Sequence, residues 1–150
     1  MALLSPTDRQ RVQAYLQERL TGPVAIHYFT QHESVLTIPG QECAYCQETR
    51  ELLEEVSALS EQIALTTHDF VTEQTLAEQY GIDKIPGFVL TGAAKGHVRF
   101  FGIPAGYEFS TLIEDLVDVG SGTTKLSEQT RQRLQRVSQP LHIQVFVTPT

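Results

Sequence analysis

The sequence lacks the features that mark membrane proteins and nucleic-acid-binding proteins. None of its apolar runs approaches the roughly 20 residues that a membrane helix needs, and no basic region precedes a long apolar stretch at the start. Lys and Arg number only 11 against 18 Asp and Glu, a net charge of −7 that makes nucleic acid a poor partner. We therefore expect a soluble, untargeted protein with no nucleic-acid or membrane partner.

The sequence is also poor in the residues that mark disordered and fibrous chains. Only 19% of its 150 residues are charged, and it has 10 Gly and 7 Pro. That composition excludes disorder and a fibrous repeat, and 41% hydrophobic residues are enough for a compact core. The length is that of one ordinary globular domain or slightly more.

Cysteine is scarce as well, since the chain has only Cys43 and Cys46, spaced as a single C-x-x-C motif. Structural disulfide frameworks normally use several long-range pairs, because closing a two-residue gap removes little chain entropy. A structural zinc site needs about four ligands, and the sequence offers neither a second C-x-x-C nor paired histidines. We interpret the pair as redox-active and expect no metal; a structural zinc site and an inert pair are the alternatives.

Hydrophobic periodicity predicts alternating helices and strands along most of the chain. The predicted order is α-β-α-β-α-β-β-α, in which the second helix starts at the C-x-x-C motif. Helices are predicted over residues 5–20, 43–59, 70–80 and around 109–117, and strands over 24–30, 63–68, 87–90 and 97–101.

A Gly- and Ser-containing stretch after residue 119 is the only part of the sequence with the composition of a linker. We predict one complete unit over residues 1–119, a linker over 120–125, and the first helix and strand of a second, truncated unit over 126–150. In this second unit, residues 126–137 have a helical pattern and residues 141–147 alternate as a strand does. A fragment of a longer protein is the simplest explanation.

The two cysteines are predicted to have different roles. A thiol at the first turn of a helix lies near unpaired N–H groups and the positive end of the helix dipole, which favour the thiolate. Cys43 is therefore the predicted nucleophile, and Cys46, one turn later, the thiol that attacks the resulting mixed disulfide. Glu42 opposes this activation, because a neighbouring carboxylate raises a thiol pKa.

The order of strand, C-x-x-C at a helix start, Lys84-Ile85-Pro86-Gly87, hairpin and helix resembles the thioredoxin superfamily. The resemblance implies a thioredoxin-like α/β fold, with a central mixed sheet flanked by helices and a cis bond before Pro86. It also implies that the Ile85 backbone and Pro86 bind an extended substrate segment, with Tyr45 beside them. His27 falls near the position of a buried acid in thioredoxins, which suggests a proton acceptor for Cys46; a strand histidine satisfied by a neighbour is the alternative.

Two stretches and the redox motif resemble a narrower group within that superfamily. The motif Cys43-Ala44-Tyr45-Cys46 resembles glutaredoxin-like C-x-Y-C sites, and residues 100–119 and 145–150 resemble protein disulfide oxidoreductases of two fused thioredoxin-fold units. The chain is closest to the N-terminal half of such proteins. The segment 31–42, longer than the connection expected there, is hypothesised to shape substrate access.

The resemblance implies a protein-disulfide oxidoreductase that serves cell redox homeostasis. We expect a cytoplasmic location from the lack of a targeting signal and from the reactive use of the dithiol. Cys43 and Cys46 would carry the electrons without a cofactor, and glutathione or an upstream reductase would reset them. One alternative is an electron-transfer component that supplies a peroxiredoxin. The other is a partner-binding module whose catalytic half is missing.

Overall fold

The computed structural model describes residues 3–31 and 42–147. Within these residues, four helices and four strands form in the predicted order, and one further helix follows them. Their bounds are α1 Pro6–Arg19, β1 Val24–Thr30, α2 Cys46–Ser57, β2 Ile63–Asp69, α3 Gln74–Tyr80, β3 Gly87–Thr91, β4 Val98–Phe101, α4 Tyr107–Ser121 and α5 Glu128–Leu134.

The four strands form one mixed sheet in the order β2-β1-β3-β4. β1 pairs in parallel with β2 and antiparallel with β3, and β3 and β4 form an antiparallel hairpin. This is the mixed sheet expected from the sequence. β1 is an inner strand, so β2 and β3 flank it along its length, including its carboxyl end.

Strand alternation divides the core between the two faces of the sheet. Ile26 and Tyr28 of β1 belong to the larger cluster, which includes the apolar sides of α2 and α4. Phe29 and Val89 belong to a smaller cluster on the other face, with α3 residues. The fully buried large side chains are Tyr28, Phe29, Phe88, Leu16, Ile26, Leu53, Leu90, Leu112, Leu116, Val24, Val56 and Val89.

The N-terminal helix is capped and fixed by side chains. The Ser5 hydroxyl accepts from the Asp8 N–H, and Pro6 occupies the first helical position. Arg9 donates to the Glu55 carboxylate across 2.9 Å, which joins α1 to α2. Burial raises the pKa of Glu55. The hydrogen bonds from the N–H groups of Leu3 and Leu4 and from the Arg9 guanidinium outweigh burial, so the pKa of Glu55 is lowered overall.

The third helix begins four residues later than predicted, at Gln74 rather than near Phe70. The reason is local, since the Asp69 carboxylate accepts from the N–H groups of Val71 and Thr72 and holds them in a turn. Gly81 ends the helix in the left-handed conformation.

The predicted linker begins too early. α4 continues to Ser121, and Gly120 is a buried residue of that helix rather than part of a linker. A β-carbon at Gly120 would lie 2.6 Å from Leu20 Cδ1 and 2.8 Å from the Gly22 carbonyl oxygen. Glycine is needed here because the helix lies directly against the chain that leads into β1.

The predicted strand over residues 141–147 is wrong in the structure. The segment follows α5 without regular secondary structure and pairs with none of the strands in the described residues. Alternating apolar residues form a strand only where a neighbouring strand bonds to the backbone and a second layer covers the side chains. All seven residues are exposed, as is almost all of α5, and Phe146 is 89% exposed.

Two further observations concern the described parts of the chain. The hypothesis about the segment 31–42 falls almost wholly outside them, because only Gln31 and Glu42 of that segment are described. Among the helices of residues 3–31 and 42–147, none has the length and apolar character to span a bilayer.

Candidate active site

The two cysteines lie where β1 and α2 meet, and a disulfide joins their sulfurs. Their Cα atoms are 5.5 Å apart. α2 begins at Cys46, so Cys43 precedes the helix by three residues instead of opening it. The Thr49 N–H and the Thr49 hydroxyl both donate to the Tyr45 carbonyl, which fixes the first turn of α2.

The two cysteines differ in their exposure, which suits the two predicted roles. Cys43 is partly buried, whereas Cys46 is only 7% exposed. This difference in exposure fits the prediction that an incoming disulfide meets Cys43 first and that Cys46 reacts with a partner already attached to Cys43. The arrangement can perform thiol–disulfide exchange, because a two-electron change interconverts this disulfide and a dithiol.

Side chains from β1 and from the residue that follows it hold the backbone at each cysteine by a hydrogen bond. The Cys43 N–H donates to Gln31 Oε1 across 2.9 Å. The Tyr28 hydroxyl donates to the Cys46 carbonyl across 2.6 Å. Both contacts come from residues at the carboxyl end of β1, which places the redox pair at that edge of the sheet.

The Ile85–Pro86 peptide bond is cis, as the resemblance implied. β3 starts at the next residue, Gly87, which pairs with Phe29 near the carboxyl end of β1. Pro86 is therefore at the same edge of the sheet as the cysteines. Its carbonyl accepts from the Gly102 N–H across 2.8 Å, which joins it to the end of β4.

The other predicted substrate residues differ in exposure. Tyr45, between the cysteines, is 56% exposed, while Ile85 is partly buried against the smaller core cluster. Lys84 directly precedes Ile85 in the sequence, and Phe101 is the last residue of β4. Lys84 Nζ is 5.0 Å from the centre of the Phe101 ring. Tyr45 is thus available to a partner, and its contact with substrate stays a prediction.

The structure does not place His27 beside Cys46. His27 Nε2 lies 3.2 Å from the Tyr80 hydroxyl, and its ring stacks on the rings of Tyr80 and His68. These contacts are on the face of β1 opposite Tyr28, because consecutive strand residues point to opposite faces. Nothing in these contacts supports His27 as the proton acceptor, and the alternative of a strand histidine satisfied by neighbours fits them.

The residue behind Cys46 is Tyr28, which the sequence reasoning missed. The signal was present, because Val24 and Ile26 form the apolar face of β1 and Tyr28 continues it at the same spacing. A shift of one residue along a strand exchanges the two faces. Ten residues lie between Gln31 and Glu42, so the sequence does not fix the distance from β1 to Cys43. The register of β1 could therefore not be counted back from the C-x-x-C motif.

The side chains of Tyr80, His27, His68 and Glu73 form a hydrogen-bonded chain across the smaller core face. The successive distances are 3.2, 3.1 and 2.8 Å. One set of tautomers satisfies them all: the Tyr80 hydroxyl donates to His27, His27 Nδ1–H to His68, and His68 Nδ1–H to the Glu73 carboxylate. The last two residues line a cavity of about 380 Å³ at the carboxyl ends of β1 and β2, together with Thr30, Gln31, Arg50, Thr67 and Asp69.

The hydrogen-bonded side chains of His27, His68 and Glu73 lead us to expect that the folded protein loses stability in mild acid. Burial, and then the neighbouring His68, lower the pKa of His27 below its ordinary value of 6.5. Below about pH 6.5 the unfolded state therefore binds a proton that the folded state resists, so stability falls as the pH decreases through that range. The hydrogen bond from His68, followed by that from the Asp69 N–H, lowers the pKa of Glu73. Its contribution is present above about pH 4.5 and is lost below that.

Urea unfolding between about pH 8 and about pH 5 tests this dependence. We expect the midpoint to fall with pH in the wild type, and the His27→Gln variant to show a flatter profile between about pH 7 and about pH 5. His97→Gln, which changes an exposed histidine before β4, is the control and should keep the wild-type profile. Equal profiles for the His27 and His97 variants would contradict the assignment.

The described residues contain no candidate metal site. No group of three or more His, Cys, Asp or Glu side chains within residues 3–31 and 42–147 could hold a metal ion. Cys43 and Cys46, which would be two of the ligands of a structural zinc site, form a disulfide with each other.

A family model described as Thioredoxin domain matches residues 34–114. This interval contains the C-x-x-C motif, the cis-proline, the β3–β4 hairpin and the first half of α4. The F component of alkyl hydroperoxide reductase from Xanthomonas campestris pv. phaseoli is 27% identical over 136 residues, which cover 90% of this chain and 22% of that protein.

Two solved structures superimpose on most of this chain. The alkyl hydroperoxide reductase component AhpF of Enterococcus faecalis superimposes with a TM-score of 0.72 and 26% identity, over 89% of this chain and 60% of that one. A protein disulfide oxidoreductase of Aeropyrum pernix has a TM-score of 0.71 and 21% identity, over 89% of this chain and 55% of that one. The chain thus spans about a fifth of the curated relative's length and less than two thirds of either structure.

Proposed function

This chain belongs to the thioredoxin-domain family, and we propose that it exchanges electrons between its Cys43–Cys46 pair and the disulfide bonds of other proteins. The observation that carries the proposal is a disulfide between a partly exposed and a buried cysteine, placed at the sheet edge where the cis-proline also lies. An inert disulfide would not require this difference in exposure between its two cysteines.

The reaction proceeds in two exchanges when the chain reduces its substrate. The Cys43 thiolate attacks one sulfur of a substrate disulfide, forms a mixed disulfide and releases the other substrate sulfur as a thiolate, which takes up a proton. The Cys46 thiolate then attacks the Cys43 sulfur, so that the Cys43–Cys46 bond forms and the second substrate thiolate leaves. The substrate gains two electrons and two protons. An external thiol or dithiol, such as glutathione or an upstream reductase, returns them to the chain.

The cis-proline edge is the proposed binding surface for the substrate segment. The Ile85 N–H and C=O precede β3 at the edge that holds Cys43, and an extended peptide could pair with them as in strand addition. The exposed Tyr45 would contact the same peptide from the other side of the disulfide. Main-chain pairing favours an extended protein segment over a small disulfide.

Reduction of insulin by dithiothreitol tests the proposal. The wild-type chain should accelerate the precipitation of the insulin B chain, because dithiothreitol resets the Cys43–Cys46 pair after each turnover. A double variant, Cys43→Ser with Cys46→Ser, is the matched control and should give the uncatalysed rate. A wild-type rate equal to that of the control would refute the proposal.

Supply of electrons to a peroxiredoxin is a second candidate. The supporting observation is the similarity to a component of alkyl hydroperoxide reductase over 90% of this chain. The same dithiol would then reduce the disulfide of an oxidised peroxiredoxin. Rapid oxidation of the reduced chain by such a peroxiredoxin, with no acceleration of insulin reduction, would favour this candidate over a general protein-disulfide role.

A partner-binding module remains the alternative in which this unit carries no electrons. Full reductase activity of a longer protein containing the Cys43→Ser change would favour it.

We also propose that residues 126 onward belong to a second thioredoxin-fold unit, because α5 and residues 141–147 leave their apolar side chains exposed. Truncation after Gly122 should then leave the unfolding temperature of the first unit unchanged, and a lower temperature would contradict that division.

A further inference from the structure

The Tyr28 side chain joins the centre of the sheet to the resolving cysteine. Its ring is fully buried in the larger core cluster, and its hydroxyl donates to the carbonyl of Cys46, the first residue of α2. The 2.6 Å distance is at the short end of the range for an O–H donor. A hydrogen bond in such a dry environment is electrostatically stronger than one in water.

The length of the connection before the motif makes this bond important. Ten residues separate Gln31 from Glu42, so the end of β1 does not fix the position of the cysteines through a short covalent link. Two side-chain hydrogen bonds, one from β1 and one from the residue after it, fix the positions instead. Gln31 fixes the Cys43 N–H, and Tyr28 fixes the Cys46 carbonyl.

The Tyr28 hydroxyl acts as a donor and not as a base. Burial raises the pKa of Tyr28, although the hydrogen bond with Thr30 and the charge of Arg50 oppose the change. The phenol therefore stays protonated at neutral pH and keeps donating to the Cys46 carbonyl. Its effect on the chemistry comes through the position of the Cys46 backbone.

We propose that Tyr28 is a positioning residue for the second exchange, in which Cys46 attacks the mixed disulfide held on Cys43. The proposal rests on the proposed function. In this step the Cys46 sulfur bonds to the Cys43 sulfur, the bond from Cys43 to the substrate sulfur breaks, and the substrate thiolate leaves with its electron pair. No other oxidant or reductant takes part.

The second exchange depends on alignment more than the first. The first is a bimolecular attack by an accessible thiolate, and the substrate can approach Cys43 from solvent. The second is a reaction within one molecule, whose rate depends on how well the buried Cys46 sulfur lines up with the Cys43–substrate bond. Loss of the anchor on Cys46 should slow the second step and leave the first unchanged.

A stopped-flow experiment separates the two steps in the full chain. Reduced protein in excess is mixed with dithiobis(nitrobenzoic acid), which releases one coloured thiolate in each exchange. We expect the first release in Tyr28→Phe to match the wild type, and the second, which does not depend on protein concentration, to be about tenfold slower, the loss given by one hydrogen bond. Tyr80→Phe, which removes a phenol hydroxyl on the opposite sheet face, is the control and should change neither release.

Each outcome of this experiment is decisive. An unchanged second release, or equal slowing of both releases, would overturn the role of Tyr28 in positioning. If the wild type itself gives no second release, the proposed function fails, and this result is distinct from a defect confined to the variant. Slowing of the second release alone is not expected of a general loss of packing.

A measurement without mutation covers the case in which Tyr28→Phe does not fold. The Tyr28 hydroxyl proton should give a slowly exchanging NMR resonance in wild-type protein labelled with ¹³C-tyrosine, because the group is buried and bonded. We expect this resonance in both the disulfide and the dithiol forms. Its absence from the dithiol form, the one that carries out the second exchange, would overturn the proposal.

Discussion

Replacing Cys43 with serine is expected to lower protein-disulfide reduction by on the order of a thousandfold or more. A serine hydroxyl remains protonated at neutral pH, whereas a thiol ionises and attacks sulfur. The Cys46→Ser variant should fail differently, because its Cys43 can still attack but the mixed disulfide cannot be resolved from within. Both variants lose turnover, and only Cys46→Ser holds the substrate covalently.

Intact mass spectrometry distinguishes the two variants. After mixing with a protein disulfide, Cys46→Ser should gain the mass of the substrate and lose it again with dithiothreitol, while Cys43→Ser should gain nothing. The 7% exposure of Cys46 is the physical reason for this asymmetry. A stable adduct on Cys43→Ser with none on Cys46→Ser would reverse the roles assigned to the two sulfurs.

The second large effect is expected at Gly120, a position far from the chemistry. Within a helix, replacing glycine with alanine normally stabilises by up to about 1 kcal/mol. Here the added methyl group would lie 2.8 Å from the Gly22 carbonyl oxygen and 2.8 Å from Val24 Cγ2, inside the contact distance of real side chains. Because the oxygen belongs to the backbone and cannot rotate away, overpacking should prevail and Gly120→Ala should lose about 1 to 3 kcal/mol of unfolding free energy.

Gly96→Ala is the matched control for this prediction. Gly96 lies in the turn between β3 and β4, and a β-carbon there would have no neighbour within 4 Å. Its substitution should change the unfolding free energy by no more than about 0.5 kcal/mol. Urea unfolding of the two variants and the wild type would measure both effects. A Gly120→Ala chain as stable as the wild type would show that α4 can move away from the start of β1.

Much of the fold could be predicted because its elements have their own local signals. The β-branched and aromatic run over residues 24–30, the Gly81 helix end and the hairpin before residue 101 are determined by neighbours in the sequence. The C-x-x-C pair was predictable for the same reason, since its chemistry follows from residue type and spacing. The cis bond before Pro86 was expected only through the family resemblance, because an X-Pro sequence alone favours trans.

The errors at Gly120 and at residues 141–147 concern contacts between distant parts of the chain, whereas the late start of α3 has a local cause. Gly120 has the composition of a linker, and only its closeness to Leu20 and Gly22 shows that it is packed inside a helix. Residues 141–147 have the alternation of a strand but no neighbouring strand in the described part of the chain. The sequence suggested His27 behind Cys46, with a satisfied strand histidine as the alternative, and Tyr28, one residue along β1, makes the contact with Cys46. A pattern cannot settle a difference of one residue in register once the distance to the motif is variable.

The attachment of both cysteines to β1 has a consequence for how such a domain can diversify. Since Tyr28 in β1 and Gln31, the residue after β1, hold Cys46 and Cys43, the reacting atoms keep their place whatever number of residues leads from Gln31 to the motif. Insertions at that point cost only the slowly growing entropy of closing a longer loop. Evolution or an engineer could therefore graft a new recognition segment there and alter which partners are accepted without rebuilding the catalytic geometry.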